Sequence, residues 1–248
     1  VVPGLTDEKI TSFEGGYLLR SPYAKARVVG YYTTFEDQLF NRSLFLDNAL
    51  QDGTQGGFVN YIMTGLDVRH MGIELGLDVQ LMAGLNLVAA AAIGEYIYTS
   101  RPDVSVYLDN SPEEVLFEKE VYIENFYVPG TPQQAYTIGL NYRSPQYWFL
   151  NVNFNYLNRT YMDFFPERRT LEAVSIRPVP EFQTDILDPE SQLFRDIIEQ
   201  DSRQGGFTVD LFGGKSFKFD DTFIYLTVGV SNLLNDQNFV TGGFEQFR

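Results

Sequence analysis

The run Met71-Gly72-Ile73-Glu74-Leu75-Gly76-Leu77-Asp78-Val79-Gln80-Leu81 alternates without interruption between an aliphatic residue and a small, charged or amide one. In an extended chain, neighbouring side chains point to opposite faces. A strand here therefore has one wholly aliphatic face and one polar face, whereas a helix would scatter both kinds around its circumference. The same period recurs in Leu85, Leu87, Ala89, Ala91, Ile93. It recurs in Tyr136, Ile138, Leu140, Tyr142 against Thr137, Gly139, Asn141, Arg143, and in Trp148, Leu150, Val152, Phe154, Tyr156 against Asn151, Asn153, Asn155. Near the end it returns as Ile224, Leu226, Val228, Val230 against Tyr225, Thr227, Gly229, Ser231.

The pattern predicts eight strands, at 9–20, 25–41, 57–82, 85–100, 131–144, 147–165, 206–219 and 222–236. Soluble strands run about 5–6 residues, and about 9–11 cross the hydrocarbon of a bilayer. Several of these reach beyond that length. Tight turns are expected at Ser21-Pro22-Tyr23, Met82-Ala83-Gly84, Ser144-Pro145-Gln146 and Phe219-Asp220-Asp221, and long loops at 42–56, 101–130 and 166–205. Short and long connections strictly alternate. A membrane barrel with short periplasmic turns on one rim and long extracellular loops on the other gives this order, which a sandwich does not require. The expected fold class is all-β, an antiparallel transmembrane β-barrel. Eight strands can close alone. Left open in lipid, they would expose two unpaired edges, so pairing with further strands is the other expectation.

The alternation assigns faces. Ile73, Leu75, Leu77, Val79, Ile138, Leu140, Leu150, Val152, Phe154, Leu226 and Val228 are expected to face lipid. Glu74, Asp78, Gln80, Asn141, Arg143, Asn151, Asn153, Asn155 and Asp210 are expected to face the lumen or a plug within it. Aromatics fall near strand ends. Tyr23, Tyr147, Trp148, Phe217, Phe219 and Phe223 flank short turns, and Tyr31, Tyr32, Tyr96, Tyr98, Tyr156 and Tyr161 lie toward the long loops. This is the expectation for two interfacial girdles, although aromatics also favour strands in general.

Composition excludes several functions. With no cysteine there is no disulfide framework or thiolate metal site, and one histidine, His70, argues against a histidine-built metal centre. A net charge of -15 argues against nucleic acid as partner. The acids are concentrated. Segment 101–125 carries seven (Asp103, Asp109, Glu113, Glu114, Glu118, Glu120, Glu124) against two bases, and 181–201 seven (Glu181, Asp185, Asp188, Glu190, Asp196, Glu199, Asp201) against one. Both lie in expected extracellular loops, as a solvated surface or a docking surface for cations or a partner. In the last long loop, Asp188 as cap, Pro189 at the first position and the stripe Leu193, Phe194, Ile197, Ile198 predict a short helix. No nucleophile elbow, phosphate loop or His-Glu-x-x-His is present. Glu74 and Asp78 share a strand face, as glycosidase carboxylates can, but lining a wet lumen is the plainer role. No catalytic residues, metal or cofactor are expected, and the chain does not read as an enzyme.

Several stretches resemble one family. Leu5-Thr6-Asp7-Glu8-Lys9-Ile10 through Phe13-Glu14-Gly15-Gly16-Tyr17 is similar to the lead-in of a barrel strand in TonB-dependent outer-membrane receptors, with Asp7 where the family usually has proline. Arg69-His70-Met71-Gly72-Ile73-Glu74-Leu75 resembles its "G-[VI]-E-L" strand. Pro129-Gly130-Thr131-Pro132-Gln133-Gln134-Ala135-Tyr136 and Ser144-Pro145-Gln146-Tyr147-Trp148 resemble Bacteroidota receptors of the SusC-like, carboxypeptidase-regulatory-domain type. Asn232-Leu233-Leu234-Asn235-Asp236 resembles the family's "N-L-[FL]-[ND]". The resemblance implies that residues 1–248 are the C-terminal part of a 22-stranded barrel, with the plug, TonB box, earlier strands and last strand outside them. It implies the outer membrane of a Gram-negative bacterium as location and TonB-dependent import of a glycan, peptide or metal chelate as function. The implied partners are outer-membrane lipid, the TonB-ExbB-ExbD system and a SusD-like surface lipoprotein. Two other readings stand beside it: a receptor-like barrel serving as structural or assembly subunit of an outer-membrane complex, and a soluble β-rich binding module whose aliphatic faces pack sheet on sheet.

Overall fold

The structure, a computed structural model, describes residues 5–46, 57–109, 111–171, 188–238 and 243–245. Eight long strands form one antiparallel meander: β1 (Lys9–Arg20), β2 (Ala24–Leu46), β3 (Gly57–Met82), β4 (Leu85–Tyr98), β7 (Gln134–Arg143), β8 (Trp148–Asn158), β11 (Gly206–Phe219) and β12 (Thr222–Val230). They neighbour one another in that order, so the sheet is the up-and-down arrangement that alternating connection lengths require. Among the described residues β1 and β12 are its two edges, and both are exposed along their whole length. The described sheet is therefore open rather than closed on itself.

Register confirms that the alternation is in phase across the sheet. Leu77 lies opposite Ala26 on β2 and Ala89 on β4, Ala89 opposite Ile138, Ile138 opposite Phe154, and Phe154 opposite Val209. Antiparallel Cα partners share a face, so one aliphatic face runs from β1 to β12. Ile73, Leu75, Leu77, Ile138, Leu140, Leu150, Phe154, Leu226 and Val228 are exposed on it, and Val79 and Val152 are half-buried. Among the described residues no helix is long and apolar enough to cross a membrane, which leaves crossing by strands untouched.

Above this level the sheet forks. The lower part of β3, from Val68 to Met82, pairs with β4; its upper part, Val59–Thr64, pairs with β5 (Asp103–Leu108), which in turn pairs with β6 (Ser111–Glu120). The fork is a bulge. Register slips around Gln38, Asp37 takes φ 59° and Gly65 φ 70°. That left-handed backbone explains glycine at position 65. Side chains hold the bulge closed. Asp67 accepts the Asp37 amide at 2.9 Å, the Asp67 amide donates to Ser100 Oγ at 2.7 Å, and Ser100 Oγ donates to the Gly65 carbonyl at 2.8 Å.

Among the described residues the hydrophobic core lies in the upper region. Val59, Tyr61, Met63, Val104 and Val106 pack with Val121, Ile123, Tyr98 and Phe164, all buried. Phe126 and Tyr98 meet the Phe164 ring edge-on at 5.6 and 5.9 Å. Helix α1 (Gln192–Ile198) adds Phe194 and Ile198 against Tyr122 and Phe126. A 3-10 turn at Pro166–Arg169 and the short β9 (Thr160–Tyr161) and β10 (Ser202–Arg203) complete it. Two glutamine amides splice broken ladders here. Gln133 Oε1 accepts the Tyr96 amide at 2.6 Å, and Gln200 bonds both the amide and the carbonyl of Tyr127 at 2.8 Å.

Several expectations need correction. The 101–130 loop contains the β5–β6 hairpin, because Val104, Val106 and Leu108 alternate beneath the acidic composition. Strand 131–144 begins at Gln134 and strand 85–100 ends at Tyr98. Strand 147–165 ends at Asn158, where Arg159 turns to φ 55°. Strand 222–236 ends at Val230, and Asn232 and Asn235, at φ 50° and 53°, turn the chain. β2 runs on to Leu46, into the expected 42–56 loop. Helix α1 is capped by Ser191, whose Oγ accepts the Phe194 amide, rather than by Asp188, whose carboxylate accepts the Glu190 amide. Leu193 points away from the apolar stripe at 57% exposure. The girdle divides. Tyr32 and Tyr156 lie on the aliphatic face, whereas Tyr31 and Tyr96 lie on the polar face and Tyr98 is buried in the upper core. Glu181 and Asp185 lie outside the described residues.

Candidate functional site

The nine polar residues singled out by alternation all fall on one face, opposite the aliphatic one. Hydrogen-bonded rungs cross the strands. Gln80, Asn86, Asn141, Asn151 and Phe212 form one rung; Asp78, Val88, Gly139, Asn153 and Asp210 form the next; Gly76, Ala90, Thr137, Asn155 and Thr208 form a third. Glu74 begins a fourth, and Arg143 lies one register step beyond the first, opposite Phe149. Strands alternating in phase with matched register place these groups together without any further device.

Some of these groups are already committed within the sheet. Asn155 accepts from Thr137 Oγ1 at 2.8 Å and donates to Thr208 Oγ1 at 3.2 Å and to Asp210 Oδ2 at 2.8 Å. Asp210 Oδ1 also takes the Asn232 amide at 2.9 Å. Asn86 donates to Asp78 at 3.0 Å. Nearest the short turns, Asp78, Gln80, Asn86, Asn141, Arg143 and Asn151 line a concavity of about 640 Å³ with Phe149 and Phe212. Above it, Glu74, Thr137, Asn155, Thr208, Asp210 and Asn232 border a second of about 580 Å³.

The run Asn232–Asp236 has a local function. Asn232 Oδ1 accepts the Asp236 amide, and its Nδ2 donates to the Asp236 carbonyl. The Asp236 carboxylate accepts the amides of Phe207 at 2.8 Å and Asn238 at 2.9 Å. Those donors hold its carboxyl below the usual carboxylate range. The motif therefore buckles the chain after β12 onto the start of β11.

Alternation in β1 and β2 adds further residues to the polar face. Ser12, Glu14, Arg27, Tyr31, Thr33, His70 and Tyr96 surround a hollow of about 370 Å³ with Glu74 and Thr131. Arg27 lies 3.6 Å from Glu14. Tyr31 and Tyr96 hydroxyls meet at 2.5 Å above Gly72, where a Cβ would come within 2.6 Å of the Tyr31 oxygen. The signal was available, since each follows the period-2 phase of its strand. His70 packs edge-on between Phe35 and Tyr96, at 5.1 and 4.8 Å, and no cluster of three potential metal ligands occurs among the described residues. The upper core lies over this same face, since Val68, opposite both Phe35 and Tyr98, continues the line of His70 and Glu74.

Residues 2–233 match the family model described as TonB dependent receptor-like, beta-barrel. A comparison with curated proteins finds no match. Among solved structures, the copper transporter OprC aligns at TM-score 0.52 and 16% identity, over 97% of this chain and 28% of its own. The P. putida toluene transporter TodX aligns at TM-score 0.39 and 12% identity, over 92% of this chain and 56% of its own. The chain thus spans about a quarter of the length of the first of these proteins and just over half of the second.

Proposed function

This chain belongs to the TonB-dependent receptor family, to its β-barrel part, and from that premise we propose that it is one wall of an outer-membrane barrel that actively imports a nutrient. The aliphatic face meets acyl chains and the polar face lines the lumen. One observation carries the reading: a single aliphatic face, in phase over eight strands, with no second layer covering it among the described residues. Its height fits. The apolar positions of β3 run from Met71 to Leu81. At about 3.3 Å per residue and a tilt near 40°, that spans roughly 25 Å, the apolar band of such barrels.

In this reading residues 1–248 are the C-terminal part of a 22-stranded barrel, and the edges β1 and β12 pair with strands outside them. Rungs whose amides and carboxylates have no side-chain hydrogen bond among the described residues, Glu74, Gln80, Asn141 and Asn151 among them, bond a plug seated in the lumen. Asn155 and Asp210 instead hold the wall itself together. TonB-ExbB-ExbD supplies the pull that shifts the plug. A SusC-like receptor with a SusD-like lid, carrying a glycan, peptide or metal chelate, is the finer form of the proposal. The acidic, folded upper region is the surface such a lid would meet. No group here needs to perform chemistry on the cargo.

Uptake tests the proposal. Cells carrying the full-length receptor should accumulate one of a panel of labelled glycans, peptides and metal chelates only when TonB and the proton gradient are intact. Growth and accumulation unaffected by loss of TonB would reject active import.

A further inference from the structure

The upper core does not pack solidly against the segment 243–245. Phe40, Tyr98, Val128, Pro129, Asp163 and Phe244 surround a hollow of about 340 Å³ between them. It lies over the polar face, next to Tyr96, whose carbonyl accepts the Val128 amide at 2.9 Å. One wall is a strap made of residues 243–245. The Asp163 amide donates to the Gly243 carbonyl at 2.8 Å, and the Glu245 amide to the Asp163 carbonyl at 2.9 Å. Arg169 anchors the Glu245 carboxylate at 2.5 and 2.6 Å. Gly243 takes φ 143°, and a Cβ there would come within 2.8 Å of Met162 Cε. The strap sets Phe244 against the hollow, with the Arg42 guanidinium 4.3 Å from its ring centroid and 5.1 Å from that of Phe40.

The polar groups of the hollow are few. Tyr98 is 8% exposed, and its hydroxyl makes no hydrogen bond among the described residues. Burial, then the charge of Asp163, holds that phenol above its ordinary pKa, so it stays a donor. Asp163 Oδ2 bonds Arg42, and its Oδ1 accepts the Phe164 amide at 2.9 Å. Each carboxylate oxygen keeps a second lone pair. A void left by imperfect packing is lined by apolar groups; this hollow offers a phenol donor and a carboxylate acceptor between aromatic walls. Ligand pockets run from about 300 to 1,000 Å³, with mostly apolar walls and a few placed polar groups. At the low end of that range, the hollow has room for one ring. An anion would meet Asp163, and a cation would find Asp163 already paired with Arg42. A neutral ring bearing hydroxyls meets both polar groups and lays its C–H faces on the aromatic walls.

We propose that this hollow binds one neutral, hydroxylated ring, a pyranose unit of a glycan, with Phe244 on the strap as one wall. Tyr98 donates to a ring oxygen or hydroxyl, and Asp163 accepts from a hydroxyl. This rests on the import reading and selects the glycan from its three cargo classes.

The test presents the full-length receptor, in detergent micelles, to an array of neutral and uronic-acid glycans, and then titrates the glycan that binds. At least one neutral glycan should bind, and Tyr98→Phe should weaken it about five- to tenfold. Since that substitution deletes a hydroxyl with no described partner, hydrogen exchange on β5 should stay at the wild-type rate. An array with no neutral glycan bound, tighter binding of uronic-acid glycans, or equal affinity of wild type and Tyr98→Phe overturns the site. Faster β5 exchange in the variant makes the hydroxyl structural and overturns its role as a donor to ligand. The two readings fail separately. TonB-dependent uptake of a peptide or metal chelate with a blank array removes the pyranose site alone. A glycan bound through Tyr98 but accumulated without TonB removes active import and leaves the site.

Discussion

The lower sheet and the upper region are built from the same strands, β2 and β3, yet they solve different problems. Below the bulge at Asp37 and Gly65, most of the aliphatic residues stay exposed on one face, and no second layer covers them among the described residues. Above it, Val59, Tyr61 and Met63 are buried under the protein's own loops. The first arrangement is stable only if the solvent is itself apolar; the second makes a core of the ordinary kind. On the proposed lipid-facing reading, one strand thus crosses from a wall that borrows its hydrophobic environment to a cap that supplies its own. The switch costs one glycine with φ > 0 and a slipped register.

Substitutions should separate the regions. Phe164→Ala, which empties the centre of the upper core, should destabilise the cap by about 3–5 kcal/mol. It should do so without altering the barrel's heat-modifiable gel shift, as read by hydrogen exchange on β5. Arg169→Met should cost a similar 3–5 kcal/mol or so. Both Arg169 and Glu245 side chains are 6% exposed and bond at 2.5 and 2.6 Å, so the substitution strands a buried carboxylate. Burial already pulls the Arg169 guanidinium below its ordinary value, against the opposing charge of Glu245. Adding Glu245→Leu should recover most of the loss. Leu140→Arg should impair barrel assembly by about 2–4 kcal/mol, and Asn153→Arg, across the sheet, by about 1 kcal/mol or less. Equal effects would erase the distinction between faces.

The smallest effect concerns Asp236. Its folded carboxyl is held below the unfolded value of about 3.9, so its contribution is present above that pH. It is lost as pH falls through the folded value. Exchange of the Phe207 amide should accelerate over that acidic window in the wild type, and Asp236→Asn should flatten the response.

What could be read from residues alone follows the same division. Strands 9–20, 57–82 and 206–219 agree with the structure at both ends, because a two-sided environment writes a strict period of two. All nine polar-face residues fall together for that reason. The cap was hidden. Val104 and Val106 alternate too, but seven acids in 101–125 made the segment look like a solvated loop. Its core depends on Phe164, Ile123 and Phe194, which come from irregular segments with no period to read. The glutamine splices at Gln133 and Gln200 are tertiary events, invisible before the ladders they mend are placed. Tyr31 and Tyr96 lie on the polar face and not in a lipid-facing girdle, because proximity to strand ends says nothing about face.

The most direct test is a nitroxide scan along β3 in the reconstituted receptor, reading collisions with oxygen and with a water-soluble relaxant. From Met71 to Leu81 oxygen access should peak at every odd position, and from Val59 to Met63 both probes should be excluded at the buried odd positions. Odd positions between 71 and 81 shielded from both, as beneath a second packed layer, would contradict the account.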